Sequence, residues 1–225
     1  MNKKLDALLG RSNKTSKYES LANLAISRIA ILKQQCRIRY SQAWSDVSQL
    51  LSQNHQRSAL LRVEHVIKEQ NMLIAFVIIE NYFHLLIDKV EVIESSRKCP
   101  DELKEAISSL IFAASRCAKF PELQHVRELL TSRFGYEFAT HAIELRSNSG
   151  VNPELIQQLS AQQASLESRL KVLILVASES GITLDVKDNV IVNTKGNTCQ
   201  KQQQHEPLET DLYEVSTEDA EVETQ

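Results

Sequence analysis

Glycine and proline are both missing from Arg11 to Cys99. No residue there adopts positive φ without cost, and none interrupts a helix, so long helices are permitted and tight turns nearly excluded. A helix over the whole stretch would run roughly 130 Å at about 1.5 Å per residue. That is too long for a chain of 225 residues, so the stretch is expected to reverse once. Ser52 to Gln56, polar residues between two apolar runs, mark the corner. The expected build is a long two-helix hairpin, an elongated form more usual in assembly proteins than in enzymes.

Other scarcities exclude other classes. The four cysteines (Cys36, Cys99, Cys117 and Cys199) form no Cys-x-x-Cys pair. No signal peptide is read at the N-terminus, and a reduced cytosolic chain with buried thiols is expected. The longest apolar run is Met72 to Ile79. A membrane span needs about 20 such residues, so this run reads as a core helix and any membrane contact as peripheral. The five glycines build no phosphate-cradling loop, and the six histidines show no metal-ligand spacing. His65/Glu69 and Glu80/His84, each four apart, read as polar pairs on a helix. No catalytic residue, metal site or cofactor is expected. Aromatics are 5% of the chain, and only Tyr18, Tyr40 and Trp44 accompany the basic residues of the first helix, which argues against nucleic acid.

Charge is present but segregated. Residues 1–62 hold eleven Lys/Arg against three acids, a net of +8, whereas residues 197–225 hold Lys201 against eight acids, a net of −7. A basic first helix points to an anionic membrane or an acidic partner, and the tail to an intramolecular competitor. Solvation alone is the alternative reading of both.

Periodicity places the elements. Helix one is expected from about Thr15 to Leu51, with Ala22, Ala25, Ile29, Leu32, Cys36, Tyr40, Ala43, Val47 and Leu50 on one face. Lys17, Arg28 and Arg39, eleven apart, form a line beside that face, with Lys14 near it. Helix two is expected from Gln56 to about Ser96. Its second half is apolar almost all round and therefore reads as the central element. Pro100 and Pro121 open the next two helices, and Gly135 stops the second of these. Short helices follow over Tyr136 to Leu145 and from Pro153, and a last one over Gln162 to Ser180. Ile182 to Val186 reads as extended. The expected domain plan is a flexible N-terminus (1–13), a helical domain (14–186) and an acidic disordered tail (187–225).

Several blocks then resemble one family. Lys17 to Leu32 is similar to the opening helix of the Increased Sodium Tolerance family, relatives of the ESCRT-III subunits of the multivesicular-body pathway. Leu61 to Glu69, with Arg62, Val63, Glu64 and His65, is similar to its most recognisable motif. Cys99 to Ile111, Ala113 to Cys117, Pro121 to Gln124 and Phe134 to Phe138 follow in the family's order, the Cys-Pro-Asp form being similar to plant members. The resemblance spans about residues 10–186.

The resemblance implies an all-α, ESCRT-III-like core: a long hairpin with shorter helices packed at one end. It implies no catalysis. It implies a regulator of ESCRT-III assembly and disassembly that binds ESCRT-III-type subunits, is cytoplasmic, and associates peripherally with endosomes and anionic membrane. Homo- or hetero-polymers fit the same reading. The tail sets Leu208, Leu212 and Val215 among acids without arginine, so the family's AAA ATPase is expected to be reached indirectly. Lys14, Lys17, Arg28 and Arg39 are the candidate membrane or acidic-partner contacts. Arg62, Val63, Glu64 and His65 are candidates for a structural or partner role, Arg62 and Glu64 as an ion pair or backbone contact keeping the hairpin arms in register. The alternative is a helical scaffold for another cytosolic partner, with the endosomal role lost.

Overall fold

Uninterrupted helix formers give uninterrupted helix: α1 runs Asn2–Ser52 and α2 runs Gln56–Asp88. This computed structural model describes residues 2–184, with side chains from Lys17 onward. Helical backbone therefore begins well before Thr15; the side chain of Lys14, like the acidic tail, lies outside what is described. The reversal falls where expected, but it uses the conformation that the missing glycine seemed to forbid. Asn54 takes φ 58°, which its short polar side chain tolerates better than most. Its N–H donates to Leu51 O at 2.9 Å, and the His55 N–H donates to Leu50 O at 2.8 Å, closing the end of α1.

Helix two is not continuous to Ser96. The backbone leaves helical geometry at Lys89 (φ −114°, ψ 18°), and α3 (Val90–Ser95) restarts immediately after it. The restart brings Val90 and Ile93 into the core. Arg133 then completes the end of α3, where carbonyls lack intrahelical partners. Its guanidinium donates to Ile93 O at 3.2 Å, to Glu94 O, and to Ser96 O at 2.7 Å.

A 3-10 turn at Asp101–Leu103 leads into α4 (Lys104–Arg116). Then come α5 (Pro121–Phe134), α6 (Tyr136–Ile143), α7 (Pro153–Gln158) and α8 (Leu166–Glu179). Gly135, at φ 98°, makes the bend between α5 and α6. Asn152 caps α7 by accepting from the Leu155 N–H at 3.0 Å, and Ser165 caps α8 by accepting from the Ser168 N–H at 3.1 Å. The last helix thus starts after its expected Gln162. Ile182 to Leu184 is irregular, and Asp185 and Val186 lie outside the described residues.

The central element is α4, not α2. Every residue from Ala106 to Ala114 is buried. By contrast α2 buries Ala75, Phe76, Ile79 and Phe83 while leaving Val77 and Leu61 exposed. An all-round apolar helix needs neighbours on all sides. The short α4 obtains them from α2, α5 and α6; the long α2 packs against α1, α4, α7 and α8 and still leaves part of its surface in solvent. By length and composition α2 would suffice to cross a bilayer, but its Ile79 and Phe83 are fully buried in the protein core. The described residues form one compact unit, with α3 to α7 around the open end of the hairpin and α8 along α1 and α2 nearer the corner.

Candidate protein-interaction site

The cations of α1 do not form a free line. Arg28 Nε donates to Glu122 Oε1 of α5 at 3.0 Å. Lys33 Nζ donates to Glu80 Oε2 of α2 at 2.7 Å, and Arg39 Nε donates to Glu69 Oε1 of α2 at 2.9 Å. Residues spaced by about three turns stay on one side of a helix; here that side lies beside the core seam, within reach of the neighbouring helices' carboxylates. Arg39 also reaches Cys36 Sγ at 3.0 Å. Burial, then Glu69, pushes the Cys36 thiol up to about 11, while Glu69 holds the Arg39 guanidinium above its usual value. Lys17 is exposed and outside this ladder, as is Arg37.

The Arg62–His65 motif is divided between structure and surface. Arg62 donates to Asp46 Oδ2 of α1 at 3.0 Å through Nε, a bridge between the hairpin arms. Val63 is fully buried between them. Glu64 faces away from Arg62 and accepts from Gln163 Nε2, ahead of α8, at 2.9 Å. His65 is exposed. Arg62 and Val63 thus contact the first hairpin arm, and Glu64 contacts the segment before α8.

A concavity lies beside Lys17. A groove of about 470 Å³ runs between α1 and α5, lined by Lys17, Ser20, Leu21, Leu24, His125, Glu128 and Leu129. Its floor is apolar, its rim carries both charge signs, and Leu24 on its edge is 55% exposed. Under its inner end the Tyr18 hydroxyl donates to Leu129 O at 3.4 Å, and burial raises the Tyr18 pKa. A second hollow of about 610 Å³ lies across Glu128, between α5 and α6, with Tyr136 on its rim. Such grooves suit an amphipathic helix laid along them, apolar face inward. Sequence reading located Lys17 but not the groove, because Leu24 falls outside the core stripe and His125 and Leu129 come from a helix about a hundred residues away. The one signal was an apolar residue on a polar face.

The family model "Ist1: Regulator of Vps4 activity in the MVB pathway" matches residues 19–183. The chain belongs to the Ist1 family. The family is thus described as a regulatory one, tied to the multivesicular-body pathway. The chain is 30% identical over 151 residues to the IST1-like protein of Dictyostelium discoideum, covering 67% of this chain and 40% of that relative. It is 27% identical over 137 residues to the vacuolar protein sorting-associated protein IST1 of Saccharomyces cerevisiae, covering 57% of this chain and 46% of that one. It therefore spans less than half the length of either relative. Its fold is similar to the crystal structure of the S. cerevisiae Ist1 N-terminal domain in complex with the Did2 MIM motif, with TM-score 0.69 and 23% identity over 76% of this chain and 94% of that one. The expected all-α hairpin core is thereby established as the Ist1-type fold.

Proposed function

We propose that this chain is a non-enzymatic regulator of ESCRT-III assembly and disassembly in multivesicular-body sorting, acting by binding ESCRT-III-type subunits. The observation that carries the reading is the family match across residues 19–183, which spans nearly all of the helical core. The α1–α5 groove supplies the receiving surface: the solved relative was crystallised with a MIM motif, and a groove with an apolar floor is what a short amphipathic segment needs. The working place is cytoplasmic, peripheral to endosomes, and the ATPase is reached through the bound subunits. Contact with anionic membrane or an acidic partner falls chiefly to Lys17, because the Glu122 and Glu69 pairs lower the charge that Arg28 and Arg39 present.

The test is binding of fluorescent peptides from the C-terminal segments of ESCRT-III subunits to the full chain. Leu24→Asp and Lys17→Glu, both at exposed positions, should each weaken binding at least tenfold with unchanged unfolding. Absence of any binding would favour the scaffold for another partner. Binding indifferent to both variants would move the site away from this groove.

A further inference from the structure

The outer face of α1 carries a second pattern, distinct from its core stripe and from its ion pairs. Leu24, Ile31 and Ile38 are exposed by 55%, 51% and 50%. They stand seven residues apart, and Ser20, Ser27, Gln34 and Ser41, all exposed, alternate with them in steps of four and three. That is a heptad seam, the spacing with which one helix meets another. At about 100° per residue, Ile31 sits roughly 160° round the helix from the buried Ile29, so the seam points away from the protein's own core. No charged residue falls on it from Ser20 to Ser45.

We infer that this seam is a self-association surface, on which α1 of a second copy lies antiparallel about a two-fold axis at Ile31. The apolar positions of the seam, Leu24, Ile31 and Ile38, are symmetric about that point. A two-fold there sets Leu24 against the copy's Ile38, Ile31 against its own counterpart, and the flanking Arg37 beside the copy's Asn23, so no like charges meet. Its ends are compatible as well: Lys17 at one end faces the copy's Ser45 at the other, beside Asp46, whose Oδ2 is held by Arg62. A two-fold interface must be self-complementary in this way. Serine at alternate seam positions lets the helices approach closely, while three apolar residues per copy make the pairing weak. The two copies therefore meet at high micromolar concentration or when gathered on a partner or membrane.

Cysteine crosslinking at about 100 µM full-length protein tests the axis, in a Cys199→Ser background. Ile31→Cys should give disulfide-linked dimers under mild oxidation, and Ser178→Cys on α8 should not. Mixed Leu24→Cys and Ile38→Cys chains should crosslink to each other in preference to themselves. In sedimentation equilibrium Ile31→Asp should weaken self-association at least tenfold with unchanged monomer unfolding. Equal crosslinking at Ile31→Cys and Ser178→Cys would overturn the interface. Leu24→Cys and Ile38→Cys each preferring themselves would overturn the antiparallel two-fold. Loss of ESCRT-III peptide binding in Ile31→Asp without any self-association of the parent chain would assign the seam to that partner and overturn self-pairing. Leu24 belongs to both groove and seam, so Ile31 reads this proposal and Lys17→Glu with labelled peptide reads the groove.

Discussion

Replacing Arg28 with alanine removes the cation from a carboxylate that is almost out of solvent. The Arg28 side chain is 42% exposed and that of Glu122 10%, with Nε to Oε1 at 3.0 Å. The second carboxylate oxygen, Oε2, is buried and has no hydrogen-bond partner among the described residues. Exposed ion pairs contribute about 0.2–1 kcal/mol, whereas stripping one partner from a buried pair costs about 3–5 kcal/mol. With one partner half-exposed and the other nearly buried, Arg28→Ala should cost about 2 kcal/mol, or about 4–8 °C in Tm for a domain of this size. Glu122→Gln keeps the shape and an acceptor, and loses the charge near the start of α5, where a carboxylate is favoured by about 0.3–1 kcal/mol. It should therefore cost under about 1 kcal/mol. The double variant should be no less stable than Arg28→Ala alone, because no uncompensated carboxylate is left behind. Urea unfolding followed by far-UV circular dichroism measures all four corners of the cycle. An Arg28→Ala loss below about 0.5 kcal/mol, or strict additivity of the two changes, would refute the claim that this cation serves the interior of the domain.

Asn54→Val at φ 58° should destabilise by about 1–2 kcal/mol, with Asn54→Gly within about 0.5 kcal/mol of the parent; urea unfolding of both decides whether the corner depends on that conformation. Leu110→Ala, in the fully buried α4, should cost about 3 kcal/mol by leaving a cavity, and a thermal melt reads it. Cys36, Cys99 and Cys117 are each pushed up to about 11, chiefly by burial, so at pH 8 iodoacetamide should label them about a hundredfold more slowly than a free thiol, as peptide mass spectrometry resolves. The same shifts favour the neutral thiol in the folded chain. Their stabilisation is complete below about pH 9 and is lost as pH rises to about 11, together with that of Tyr82, pushed up to about 12 by burial and then Glu105. Melting temperatures measured from pH 7 to 11 should be flat and then fall, and a rise above pH 9 would contradict the assignment.

What could be read from the sequence was set by short-range periodicity. Ala22, Ala25 and Ile29, and again Ala43 and Val47, follow one another in steps of three and four, and all five are buried. Pro121 and Gly135 bracket α5, and the polar run at Ser52 to Gln56 is the corner. The misreadings came where tertiary neighbours decide. The run from Met72 to Ile79 is the most apolar of the chain, yet hydrophobicity measures the wish to be covered and not the number of available neighbours; the less conspicuous Ala106 to Ala114, containing Ser108 and Ser109, lies where three helices converge. The break at Lys89 carries no glycine or proline signal. The hold of Arg133 on α3 was invisible, because its acceptors are backbone carbonyls about forty residues away. The α1–α5 groove needed the same long-range information, since each helix contributes one wall.

The cation line on α1 shows how a correct pattern carries a different meaning once the neighbouring helices are in place. Lys17, Arg28 and Arg39 do share one side, but a side next to the core stripe is one that adjacent helices also reach. Glu122 and Glu69 meet the two arginines, with Lys33 and Glu80 between them. Freedom to bind something else then belongs to the sector of α1 farthest from the core. That sector is uncharged from Ser20 to Ser45 and holds Leu24, Ile31 and Ile38. The paired cations and the outer seam are therefore separated on this helix: Arg28, Lys33 and Arg39 reach carboxylates of neighbouring helices, and the seam is apolar. Pairing at the seam should accordingly depend weakly on salt, because screening acts on exposed charge and not on apolar burial, whereas binding at the groove, with the exposed Lys17 on its rim, should weaken as salt rises. This also explains why the absence of glycine and proline matters beyond permitting length. A break within α1 would interrupt the core stripe, the ion pairs and the outer seam at once, since all three repeat along one unbroken helix.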